Sequence, residues 1–136
     1  MKTPQIPCKV EFFCPVNPSE DPDKIIQAIS NIFPNPAISS KKFSISATSE
    51  SLLSLERIVE STRSRHSQKT YRRYLQRNLN NNSSWIYLNK QAAYAKKVAI
   101  CEEAEESPLG PIKVIIASSQ IDRIIDWIAL GQEKIS

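Results

Sequence analysis

The sequence predicts an α+β domain in which a mostly antiparallel sheet carries helices packed on one face. Two observations predict it. Segments of period-two apolar alternation and segments of helical apolar spacing interleave along the chain, without the strict strand–helix–strand repeat of a parallel fold. The 136 residues, 40% apolar and 24% charged, suit one soluble domain spanning residues 1–136 with enough chain to bury a core.

The first strand is read from Ile6, Cys8, Val10, Phe12, Cys14 and Val16, which alternate with Pro7, Lys9, Glu11, Phe13 and Pro15. The two prolines lack ladder donors and belong at strand ends or on a sheet edge. A polar turn then leads to a helix, with Asp21 as N-cap, Pro22 at the first helical position and Asp23 beside the positive helix terminus. Ile25, Ile26, Ile29, Ile32 and Phe33 form its apolar face, and Pro34 and Pro36 stop it.

Phe43, Ile45 and Ala47 alternate with serines and predict a second strand. A helix beginning near Ser49 follows, marked by Leu52, Leu55, Ile58, Val59 and Thr62. It runs into residues 63–77, RSRHSQKTYRRYLQR, which are helical in pattern as well; the spacing leaves open whether Ser67 caps a new helix or the first one continues. Asn78 to Ser84 reads as a loop, and Trp85 to Leu88 as a short strand. Asn89 to Ala93 reads as a tight connection and Tyr94 to Cys101 as another strand. An acidic loop ends in a turn at Pro108, Gly110 and Pro111. Ile112 to Ala117 is an apolar strand. Ser119 starts the last helix, with Asp122 three residues on, and Gly131 ends it.

Several function classes are excluded or disfavoured. With only two glycines, the chain has no Gly-rich phosphate loop. No run approaches the ~20 apolar residues of a membrane helix. The N-terminus lacks the apolar core of a signal peptide, so a cytoplasmic protein is expected. The three cysteines, Cys8, Cys14 and Cys101, show neither disulfide-framework nor zinc spacing. Cys8 and Cys14 share a strand face but lie roughly 20 Å apart, too far to bridge. Catalysis is not expected: His66 is the lone histidine, without a neighbouring carboxylate, and Glu102 and Glu103 disfavour a Cys101 thiolate. No cofactor or metal set emerges, and Glu102–Glu106 lacks the Asp/Asn/Gly spacing of a calcium loop.

The charge is concentrated. The chain has 18 basic and 14 acidic residues, and residues 63–77 hold Arg63, Arg65, Lys69, Arg72, Arg73 and Arg77 without one acid. Outside that stretch the balance falls from +4 to −2. On one helix, Arg65, Lys69, Arg73 and Arg77 would be four apart, and like charges at that spacing repel by a few tenths of a kcal/mol per pair. Phosphates relieve such repulsion, and arginine forks suit them. The bland alternatives are a solvated helix face or pairing with the chain's own acids at Glu102–Glu106. Tyr71 and Tyr74 are read as core residues before stacking platforms. Lys90, Lys96 and Lys97 widen the patch if the fold brings them beside the helix.

Three motifs, PVNPSEDPDKI at 15–25, YLNKQAAY at 87–94 and CEEAEESPLGPIKV at 101–114, resemble those of an archaeal family of uncharacterised proteins described as RNA-binding. The resemblance spans nearly the whole chain. It implies an α+β fold similar to ribosomal protein L-five, a homodimer and no established activity. The family pattern is more apolar where this chain reads RSRHSQKTYRRYLQR.

The expectation is therefore a non-enzymatic, RNA-binding or ribosome-associated module, with Arg63, Arg65, Lys69, Arg72, Arg73, Arg77 and Lys90 on phosphates. The alternative is a homodimeric protein-interaction domain whose basic helix pairs with an acidic surface. An enzyme acting on small anions is a third and weaker option.

Overall fold

The structure is a computed structural model and describes residues 3–130. Strand β1 (Lys9–Pro15) is followed by helix α1 (Pro22–Ile32), strands β2 (Ala37–Lys41) and β3 (Ser44–Ser49), and a 3-10 turn at Leu52–Leu55. Helices α2 (Glu56–Ser64) and α3 (Gln68–Arg77) lead to β4 (Ser83–Leu88), the short helix α4 (Lys90–Tyr94) and β5 (Ile100–Cys101). A 3-10 turn at Ala104–Glu106, β6 (Ile112–Ala117) and helix α5 (Ile121–Leu130) complete the described chain.

The six strands form one sheet in the order β2-β3-β1-β6-β4-β5, and all its pairings are antiparallel. Alternation decides which side chains enter the core. Val10, Phe12 and Cys14 of β1, Ile45 and Ala47 of β3, Ile86 and Leu88 of β4, and Ile112, Val114 and Ile116 of β6 are buried. They form one cluster with the apolar faces of α1, α2, α3 and α5. The other residues of each strand project from the opposite side, where they are half-buried or exposed. The sheet is thus a single layer, dry on one face and open on the other.

The predicted class and most elements are present, with instructive differences. Asp21 caps α1 by accepting from the Asp23 N–H at 3.0 Å, as its sequence position implies. β1 is an interior strand rather than an edge, and its prolines are tolerated because Pro7 precedes it and Pro15 is its last residue. β2, AISSK, was not anticipated: an edge strand largely exposed on both faces has no apolar alternation to read. Phe43 stays out of the core, 60% exposed, with the Lys42 ammonium 5.2 Å from its ring centre.

The largest correction lies between residues 89 and 101. The expected connection and long strand are instead α4, capped by Asn89 accepting from the Ala92 N–H at 2.9 Å. Lys96 then takes a left-handed conformation (φ 62°), its N–H bonds back to Ala93 at 3.0 Å, and only Ile100–Cys101 remain as strand. Helix α5 begins at Ile121 rather than at Ser119, and the turn before it is held by the Ser118 hydroxyl, which accepts from the Gln120 N–H at 3.0 Å. Gly131 lies outside the described residues.

Candidate nucleic-acid interface

The basic stretch is two helices. After Ser64 the chain turns through Arg65, and His66 enters the left-handed region at φ 53°; Ser67 donates its N–H back to the Thr62 carbonyl at 3.0 Å before α3 begins. Lys69, Arg73 and Arg77 keep their four-residue spacing on α3, but Arg65 is removed from that row. The break distributes the cations into different surroundings.

Three of them are engaged within the chain. Arg63 donates from Nη2 to the Trp127 carbonyl at 3.3 Å. Arg72 pairs with Asp126 of α5 at 2.9 Å, so both tie the basic segment to the last helix. Arg77 pairs with Glu102 at 3.1 Å, which realises part of the bland reading that the acidic loop would meet the chain's own arginines. Arg73 and Arg77 lie 5.1 and 4.9 Å from the Tyr74 ring centre. Tyr71 and Tyr74 are buried, so neither offers a face to a base. Burial pushes the Tyr71 hydroxyl up to about 12, against the opposing effect of its Thr62 hydrogen bond. Arg65, Lys69 and Arg73 are exposed, and no ion pair engages them among the described residues.

Arg65 has other company. It lines a cleft of about 360 Å³ together with Arg57, Lys96 and Lys97, and with Glu60 as its one acid. The C-terminal end of α1, helix α2 and the turn after α4 form its walls. Arg57 donates from Nη1 to the last-turn carbonyls of α1, Ser30 at 3.1 Å and Asn31 at 2.6 Å. The Asn31 amide donates to the Ala93 carbonyl at 2.8 Å, and the Ser61 hydroxyl to the Val98 carbonyl at 3.4 Å, so the walls are tied together. The left-handed Lys96 that ends α4 places the lysine pair here. Sequence patterning singled out Arg65, Lys96 and Lys97 but missed Arg57, which precedes the basic run and sits between Glu56 and Glu60.

Lys90 is not on any such surface. It is 0% exposed, and its Nζ donates to the Glu20 carboxylate at 3.0 and 3.1 Å, the Pro15 carbonyl at 3.0 Å and the Leu109 carbonyl at 2.9 Å. Its N–H donates to the Ser107 hydroxyl at 2.9 Å. A buried ammonium requires such saturation, because an unpaired charge in the interior costs several kcal/mol. The assignment of Lys90 to phosphate contacts is therefore corrected: it is an internal clamp. Its partners come from the other two motifs quoted above, so all three meet at this one group. A cleft of about 610 Å³ beside it is lined by Glu20, Asp21, Lys24 and Tyr94, a mixed set unsuited to a polyanion.

The thiols are poor nucleophiles. Burial raises Cys14 to about 11, and burial, then a nearby Glu106, raises Cys101; the acid that disfavours the Cys101 thiolate is thus Glu106 rather than Glu102 or Glu103. Among the described residues no cluster of His, Cys, Asp and Glu has metal-site form, and no helix is long and apolar enough to cross a membrane.

Fold and cleft together define a small α+β protein with a cationic cleft on the helical side of a single-layer sheet. A family model described as RNA binding matches residues 9–118. A UPF0201 protein of Methanothermobacter thermautotrophicus is 39% identical over 123 residues, covering 89% of this chain and 90% of that protein. A UPF0201 protein of Sulfurisphaera tokodaii is 38% identical over 117 residues, covering 83% and 81%. The crystal structure of the Methanococcus jannaschii UPF0201 protein superposes with a TM-score of 0.77 at 30% identity, over 93% of this chain and 95% of that one. The chain belongs to the UPF0201 family of archaeal proteins.

Proposed function

We propose that this protein binds RNA without catalysing a reaction on it, and that the cleft formed by Arg57, Arg65, Lys96 and Lys97 holds the phosphate backbone. The observation that carries this is convergence: four cations from two segments far apart in sequence, helix α2 with its C-cap and the turn after α4, share one cleft with a single acid. A solvated charge run does not need that arrangement, whereas successive phosphates do. The description of the family model as RNA binding supports the same reading. Lys69 and Arg73 extend the positive surface along α3, and contacts of this kind position a partner without reading its sequence. Neither a ribosomal-protein likeness nor a homodimer is required for these contacts.

Anisotropy titrations of a labelled RNA oligonucleotide at several salt concentrations test the proposal. Four phosphate contacts to a single strand give a slope of log affinity on log salt of about −3, from roughly 0.7 per phosphate. The triple variant Arg65→Ala, Lys96→Ala, Lys97→Ala should bring that slope close to −1 and weaken binding at least tenfold. Arg72→Ala, whose guanidinium is committed to Asp126, should change neither. Salt-insensitive binding, or none at micromolar protein, would refute the proposal.

A further inference from the structure

The sheet face away from the helices carries a second feature. β1, β6 and β4 are consecutive strands at the middle of the sheet. In register across them stand Phe13, Lys113 and Tyr87, with Trp85 two residues from Tyr87 on the same face. None of these side chains enters the core: Phe13 is 40% exposed and the other three are half-buried. The Trp85 and Tyr87 rings are 4.8 Å apart at 55°, and the Lys113 ammonium lies 4.6 Å from the Trp85 ring centre. Lys113 forms no ion pair among the described residues.

We infer that this row is a stacking platform for the bases of single-stranded RNA, with Lys113 meeting a phosphate between them. The inference rests on the RNA-binding proposal and adds the strandedness of the ligand. Three observations favour this occupant. Aromatic rings spread over the strands of an open sheet accept two or three unpaired bases, because every base has a π face and a duplex conceals it. Lys113 places a cation at the centre of the row, between Phe13 and Tyr87, and Lys9 offsets Glu11 farther along β1, so the row complements a polyanion. It is also hemmed by polar side chains, Ser46 and Thr48 on β3 and Ser83 on β4, and is therefore narrow in apolar extent. A second copy stacked sheet to sheet would bring two Lys113 ammonium groups under cover, a desolvation that a symmetric contact leaves poorly compensated.

The acidic loop marks one end of the platform. Glu102, Glu103 and Glu105 line a hollow beside Trp85 and Tyr87, and Arg77 neutralises Glu102 there. The strand of RNA accordingly runs from Trp85 toward Phe13, away from the loop.

The test uses the full chain carrying Trp127→Phe, so that Trp85 is its only tryptophan, with a ten-nucleotide oligouridylate and a ten-base-pair RNA duplex as probes. Oligouridylate should quench Trp85 fluorescence and the duplex should not. Phe13→Ala and Tyr87→Ala should each weaken oligouridylate binding about five- to tenfold without altering the salt slope, as loss of one stacked base does. Tyr87→Phe, which keeps the ring, should bind as the parent does, separating stacking from any effect on folding. Oligouridylate that binds with the cleft's salt dependence but neither quenches Trp85 nor responds to these variants overturns the platform and leaves the RNA proposal intact. No binding of either probe overturns both. Sedimentation showing a dimer that Phe13→Ala splits into monomers overturns the platform in favour of self-association.

Discussion

Lys90 shows how far a residue's role can depart from its type. A lysine flanked by Asn89 and Gln91 reads as surface, and only the positions of Pro15, Glu20 and Leu109 turn it inward. No local pattern carries that information, because Glu20 is 70 residues away. Replacing Lys90 by methionine leaves the Glu20 carboxylate buried without its counter-ion and should cost about 3–5 kcal/mol in urea unfolding. Adding Glu20→Gln to Lys90→Met should recover part of that loss, and RNA affinity of the folded variants should remain at the parental level. At the same scale, the six arginines and lysines of residues 63–77 were legible as a charge signal but not as separate roles. Arg72 and Arg65 look equivalent in sequence; Asp126 lies 54 residues from the first, while only the backbone turn at His66 points the second toward Lys96 and Lys97.

Elements were legible where their own residues determine them. The alternation of β1 and β6 and the cap, proline and isoleucine spacing of α1 each carry their structure locally. The α1 cap yields a direct check: Asp21→Ala should lower stability by about 1 kcal/mol, seen as a fall of roughly 3–5 °C in Tm, with RNA binding unchanged. Residues 89–101 were misread because alternation is cheap to find in a short mixed segment. Asn89, a helix cap, outweighs it, and a five-residue helix is too short to show apolar periodicity. The break between α2 and α3 is equally hidden, since helical spacing continues on both sides of His66 and the chain leaves the helix only over Arg65, His66 and Ser67.

The whole molecule joins a dry helical side to a wet sheet side, and its buried and half-buried weak acids set a limit on the alkaline side. Cys14 is raised to about 11, and Tyr71 and Tyr94 to about 12, burial being the first cause in each. In the unfolded chain these groups lose protons near 9 and 10. Between those values and the folded ones the native protein holds more protons than the unfolded chain, so stability falls as pH rises. Urea midpoints should be level from pH 7 to about 8.5 and then decline through pH 11. Tyr71→Phe should be less stable at pH 8, through loss of the Thr62 hydrogen bond, yet show a shallower decline above pH 10. An unchanged alkaline slope in that variant would show that Tyr71 is not among the groups responsible.

The position of β1 has a temporal consequence. It is the third strand of the sheet, flanked by β3 and β6, and Lys9 lies opposite Ala117. A chain emerging from the ribosome can zip β1 to β3 early, but the other flank of β1 has no partner until β6 has been made. At about 5–20 residues per second, that interval is on the order of ten seconds. For that time a strand carrying Val10, Phe12, Phe13 and Cys14 presents an unpaired ladder. Nascent chains of this protein are therefore most exposed to wrong pairing just before synthesis reaches Ile112, and the sheet closes only once β6 has been made.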